Sequence, residues 1–132
     1  MTPLTLPWPP TVNTYYRTHL GRVLLSEQGR RYRRVVKSYL RAATDLPQVT
    51  DLDRLALTIA AYPPDRRKRD LDNLLKPLID ALMHAGAFPD DSQLDLVAIG
   101  RGERRKGAGC VIVRFGVAKQ SGDCYLPVGS VG

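Results

Sequence analysis

The spacing of apolar residues changes along this chain, and each change limits what the backbone can become. In RLALTIAAY, residues 54–62, Leu55, Leu57 and Ile59 alternate with Ala56, Thr58 and Ala60, the two-residue period of a strand. LDLVAIGR (94–101) and GCVIVRFGV (109–117) predict two more strands, joined by the basic segment GERRKGA, which reads as a hairpin loop. PLTLPW (3–8) is short, extended and flanked by prolines, which suits an edge strand. Two stretches switch to helical spacing. Tyr32, Val35, Val36, Tyr39, Leu40 and Ala43 share one face of a helix over 27–43, with Ser26 as its N-cap. Leu71, Leu74, Leu75, Leu78, Leu82 and Ala85 do the same for a helix over 72–85, which Gly86 stops. Residues 9–26 read as a structured loop with a short turn of strand near Arg22–Leu25, and residues 44–53 as a linker between elements. The order strand, helix, strand, helix, strand, strand predicts an α/β (α+β) fold. A small mixed sheet of about four strands carries two main helices. Residues 1–117 form one domain, and the Gly-, Ser- and Pro-rich stretch 118–132 is a loosely held tail.

Charge narrows the partners. Lys and Arg outnumber Asp and Glu by 20 to 13 in 132 residues, which favours a polyanion such as nucleic acid. Six of the thirteen acids, Asp70, Asp72, Asp80, Asp90, Asp91 and Asp95, nevertheless fall between residues 70 and 95, where a cation could be held. The two cysteines, Cys110 and Cys124, form no CxxC or Cys/His pattern, so neither zinc nor a disulfide framework is indicated. Cys110 lies in an apolar run and reads as a core residue. No signal pattern or bilayer-length apolar stretch is present, and the cytoplasm is the expected compartment.

The stretch RRKRDLDNLLKPLID, residues 66–80, concentrates the chemistry. Four cations, Arg66, Arg67, Lys68 and Arg69, run into Asp70 and Asp72. At about 100° per residue, Asp72, Lys76 and Asp80 form a polar stripe with Asn73 beside it, and the leucines lie on other faces. Pro77 removes a backbone donor so early that either the regular helix starts after Asp72 or its first turn is distorted. If the turn carrying Asp90 and Asp91 returns to this stripe, several carboxylates meet. Hard oxygen ligands in that number suit Mg²⁺, with Mn²⁺ as a substitute. Each residue also has an ordinary role: Asp72 as an N-cap, Asp90 and Asp91 as turn formers, Asp80 as a surface residue paired with Lys76, the cations as a solvated loop. By spacing alone, a metal site and a charged helix entrance fit equally.

PPDRRKRDLDNLLKPLIDAL followed by FPDD resembles the RusA family of Holliday junction resolvases. LPWPPTVNTYYR, the following GR and SEQGRRYR are similar to that family's N-terminal segment. The likeness runs from residue 4 to about 116, and the tail and the Asp45–Asp53 loop depart from it. It implies a dimeric, Mg²⁺-dependent endonuclease that cuts four-way DNA junctions, leaving 5′-phosphate and 3′-hydroxyl ends. It also implies that Asp70, Asp72 and Asp91 are metal ligands, with Lys76 acting at the phosphate or in DNA binding. Asp90 and Asn73 are further candidates at the metal or just behind it. Arg66, Arg67, Lys68 and Arg69 are the leading phosphate contacts, with Arg104, Arg105 and Lys106 second. Asn13, Tyr15, Tyr16 and Arg17 lie in the shared N-terminal segment, where either tyrosine could stack on an unpaired base or pack the loop onto the core. No membrane or small-molecule cofactor is expected. The competing readings are a non-catalytic DNA-binding module and a different metal-dependent nuclease or phosphohydrolase.

Overall fold

The structure, a computed structural model, describes residues 3–118. Cys124 and nearly all of the sequence-predicted tail lie outside the described residues. In chain order the elements are β1 (Leu4–Pro7), α1 (Val12–Tyr15), β2 (Tyr16–His19), β3 (Arg22–Leu25), α2 (Glu27–Ala42), β4 (Leu55–Tyr62), α3 (Asp72–His84), a 3₁₀ turn (Asp91–Gln93), β5 (Leu94–Arg101) and β6 (Cys110–Val117). The mixed sheet runs β1-β6-β4-β5, with β4 and β5 parallel and the other pairs antiparallel. This is the α+β layer that the sequence predicts.

The topology corrects one expectation. β5 and β6 do not form a hairpin, because β4 lies between them. Parallel neighbours need a long crossover, and α3 supplies it from β4 to β5. β6 pairs with the far side of β4, so GERRKGA passes the end of β4. It is fastened there: the amides of Gly102, Arg105 and Gly107 donate to the carbonyls of Ala61, Pro63 and Pro64 at 2.7, 2.8 and 3.1 Å.

The N-terminal segment is more regular than its breakers suggest. α1 leads into the β2–β3 hairpin, whose two-residue turn, Leu20 and Gly21, has positive φ at both positions (50° and 74°). That geometry matches the twist of paired strands. Ser26 caps α2 by accepting from the Gly29 amide at 3.0 Å, and its own amide donates to the Tyr15 carbonyl at 2.9 Å. Gly29 is required by this close approach: a Cβ there would lie 2.4 Å from the Tyr15 carbonyl oxygen.

α3 begins at Asp72, but its N-cap is Leu71 and no side chain caps it, so Asp72 is not the cap. The entry bonds run from Asn73 to Asp70 and from Leu74 to Leu71, a tightened first turn. Pro77 is buried inside the helix and has no N–H for the Asn73 carbonyl. Gly86, at φ 92°, ends the helix. Leu74, Leu78 and Leu82 of α3 and Tyr32, Val36 and Leu40 of α2 join Leu55, Leu57, Ile59, Val111 and Val113 of the sheet in one core. Cys110 is free and buried, as expected. Among the described residues no helix is long and apolar enough to cross a membrane.

Candidate functional site

Burial of the leucines leaves the other side of α3 facing a cleft of about 360 Å³. Tyr16, Asp72, Leu75, Lys76, Ile79, Asp80 and Asp91 form its walls. The chain thus brings four polar residues singled out in the sequence, Asp72, Lys76, Asp80 and Asp91, to one concavity. Asp70, Asn73 and Asp90 are not among its walls. Among the described residues, no three His, Cys, Asp or Glu side chains gather closely enough to hold a metal ion. What the cleft does offer is two exposed carboxylates from separate elements, Asp72 from α3 and Asp91 from the 3₁₀ turn. Mg²⁺ is commonly held by one or two carboxylates, with water and substrate phosphate completing its shell. The donor set therefore fits a hard divalent cation.

Asp80 has a different occupation from the surface role expected of it. Its Oδ2 accepts from the Tyr15 hydroxyl and from Arg33, at 2.9 Å from Nε and 2.8 Å from Nη2. His84 Nε2 lies 3.6 Å from Oδ1, one helical turn along. Lys76 does not pair with Asp80; its ammonium stands 5.2 Å from the centroid of the Tyr16 ring. This cluster ties α1, α2 and α3 together beside the cleft. Burial, and then the bond to Asp80, holds the Tyr15 hydroxyl well above the usual phenol range. Burial raises Tyr16 as well.

Tyr15 is fully buried, so the expectation that it meets DNA is corrected: its ring has no open face to offer. Tyr16, turned the other way, lines the cleft and is only half-buried. Asn13 and Arg17 remain exposed nearby.

The acidic turn is held by a residue that the sequence reading passed over. Gln93 is 4% exposed. Its Oε1 accepts from the Asp90 amide at 3.0 Å, and its Nε2 donates to the carbonyls of Thr50 and Asp53 at 2.8 and 2.9 Å. All of its hydrogen-bonding atoms are therefore used to fix the turn against the 50–53 loop. The Ser92 hydroxyl donates to Asp90 and, with Asp91, lowers the Asp90 carboxyl below its usual range. A polar residue three positions after Asp90 was the available signal, since that spacing permits reciprocal capping.

The two basic segments prove to be one ledge. Besides the backbone bonds between 102–107 and 61–64, Arg101 Nη2 donates to the Arg69 carbonyl at 2.6 Å. Arg69, expected as part of the phosphate grip, is instead turned inward. It makes two bonds to Asp65, at 2.6 and 3.0 Å, and lies over the Trp8 ring. Its carboxylate partner has a pKa lowered to about 2, chiefly by that pairing. Arg105 is similarly placed over Tyr62, 4.0 Å from the ring centroid, with Nη1 on Cys110 Sγ. Arg66, Arg67, Lys68, Arg104 and Lys106 stay exposed on the surface that these two arginines build.

A mixed sheet with a crossover helix, an acidic cleft along that helix and a cationic ledge at its entrance define a protein equipped to handle nucleic acid. Residues 7–114 match the family model of Endodeoxyribonuclease RusA. The chain belongs to that family, the RusA Holliday junction resolvases. It is 39% identical over 102 residues to the crossover junction endodeoxyribonuclease of Enterobacteria phage HK97, covering 77% of this chain and 83% of that one. The corresponding enzymes of Enterobacteria phage 82 and Escherichia coli K12 are 43% and 42% identical over 96 and 95 residues, each match covering 69% of this chain and 74% of theirs.

Proposed function

We propose that this protein is a Mg²⁺-dependent crossover junction endodeoxyribonuclease that resolves four-way DNA junctions by paired symmetric nicks. The observation that carries the reading is the cleft where Asp72, Lys76 and Asp91 converge in a chain of this family. Asp72 and Asp91, with Asp70 at the helix entrance, would hold the cation; Asp90 and Asn73 would stand behind it. When bound, such an ion neutralises phosphate charge and lowers the pKa of a bound water. The protein's own groups do the remaining work. Lys76 offers a mobile positive charge to the phosphate as negative charge builds on its oxygens. Arg66, Arg67 and Lys68, with Arg104 and Lys106, hold the strand by its backbone, which fixes register without reading sequence. Arg69 serves this surface by bracing it. Asn13 and Arg17 extend the contact from the N-terminal side.

Two nicks of like polarity at opposite sides of a crossover call for two identical sites related by a two-fold axis. A homodimer provides them. Junction DNA is the partner, and the cytoplasm is the compartment in which the enzyme would meet it. The test is a four-way junction incubated with the protein in Mg²⁺ or in EDTA, beside flap and duplex controls. Paired nicks on the junction in Mg²⁺ alone are expected. Binding without nicking would establish a DNA-binding module instead, and equal cutting of flaps would establish a broader nuclease.

A further inference from the structure

The cleft is not lined by charged groups alone: Tyr16, Leu75 and Ile79 share its walls with Asp72, Lys76, Asp80 and Asp91. Leu75 and Ile79 stand one turn apart on α3 at the edge of the core, packed against it yet only half-buried, so each also lines the cleft. Tyr16 lines the same concavity. Its neighbour Tyr15 is wholly buried, and the two rings meet edge to face at 4.8 Å, so Tyr16 is braced from behind. Water-facing apolar concavities are costly to keep unless a ligand fills them. Beside these walls stand Lys76, Asp72 and Asp91, the groups that would hold the phosphate and its cation.

A flat ligand with apolar faces, carried on the same strand as the phosphate, would match these walls. A nucleobase is such a ligand. The volume agrees: a cavity of about 150 Å³ accommodates a benzene ring, and this one, at about 360 Å³, has room for a purine and part of its sugar. Turning a base out of a duplex costs a few kcal/mol, least where pairing is already disturbed, as at a branch point.

We propose that the cleft receives one nucleobase unstacked at the crossover, held between Tyr16 and the Leu75–Ile79 wall. The proposal rests on the junction-nuclease reading and adds to it a recognition subsite beside the scissile phosphate. It makes Tyr16 a residue that senses the branch point, since a base in continuous duplex cannot reach it.

A binding cycle with the full chain, run in EDTA so that no cutting intervenes, tests this. The probes are a four-way junction with a fixed crossover and a series in which each nucleotide flanking the crossover is made abasic in turn. Tyr16→Leu should weaken binding to the intact junction by about 5- to 100-fold, the range for one lost base–aromatic stack. On one member of the abasic series that penalty should vanish, while Tyr16→Phe should behave as wild type throughout. A penalty equal on every junction, or no penalty on any, would overturn the subsite. Leu75→Asn should couple to the same nucleotide, and it carries the cycle alone if a thermal melt shows Tyr16→Leu unfolded. Wild-type nicking in Mg²⁺, measured alongside, separates the two ideas. Nicking without coupling removes the base subsite and keeps the nuclease; coupling without nicking keeps the subsite and removes the nuclease.

Discussion

Asp72 and Asp80 lie two turns apart on one stripe of α3 and line the same cleft, yet they have opposite occupations. Asp80 is met by Tyr15 from α1, Arg33 from α2 and His84 from its own helix. Asp72 has no side-chain hydrogen bond or ion pair among the described residues. One carboxylate is committed to holding three elements together; the other lines the cleft with no side-chain partner among the described residues. The cations divide in the same way. Arg69 turns in to build the ledge, and Arg66 and Lys68 stay out in water. Helical period places like residues on one face, but what arrives from distant elements decides which of them is structural.

Neutralising each acid in turn should separate the two occupations. Asp72→Asn keeps the shape and removes the charge. Junction cutting in Mg²⁺ should fall by at least about a hundredfold, since single groups that stabilise charge at a reacting centre are worth about 10²–10³ in rate. Thermal stability and junction affinity in EDTA should hardly change. A folded Asp72→Asn protein that cuts at wild-type rate would end the distinction. Asp80→Asn should do the reverse in kind. Losing the charge-assisted bonds to Arg33 should cost about 2 kcal/mol of stability in a denaturant titration. Junction cutting, measured where the variant is still folded, should suffer less than in Asp72→Asn. An unchanged midpoint would mean that the cluster is decorative.

Much of this was legible in the sequence because it depends on local period. The two helices, the three long strands, the Ser26 cap and the Gly86 stop follow from spacing and from residue chemistry within a few positions. The convergence of Asp91 on the α3 stripe was stated only as a condition, since no periodicity reports a turn's position in space. What the sequence hid was long-range choice. β4 and β6 look alike whether or not they flank β5, because strand order is set by the crossover and not by alternation. Asp80 looks like a surface acid because its partners lie 65 and 47 residues away. Tyr15 and Tyr16 are adjacent in sequence, and only the turn from α1 into β2 sends one inward and the other to the cleft.

The acidic turn offers a smaller effect on the same theme, since Asp91 meets the cleft only if something fixes its backbone there. Gln93→Ala should cost about 1–2 kcal/mol, because the Thr50 and Asp53 carbonyls and the Asp90 amide lose their partner. A fall in cutting should accompany it, with protection of the 90–95 amides reduced in hydrogen exchange. Retained amide protection would show that the turn holds itself and that Gln93 only fills space.

The smallest effect lies in the ledge, where Asp65 is to Arg69 what Asp80 is to Arg33, but in water. Asp65 is bonded by Arg69 and by the Arg67 amide, and its pKa falls from an ordinary 3.8 to about 2. A carboxyl lowered in the folded state stabilises that state fully above the ordinary value, and the contribution disappears as pH falls through the lowered one. The window is therefore about pH 4 to 2, and neutral pH lies outside it. Because the carboxylate is open to water, added salt should shrink the shift. An NMR titration of the Asp65 carboxyl should show a midpoint near 2 that moves up in Arg69→Ala, with the Trp8 ring signals shifting in that variant. A midpoint at the ordinary value in the wild type would free Arg69 from its bracing role and return it to the set of cations available for phosphate.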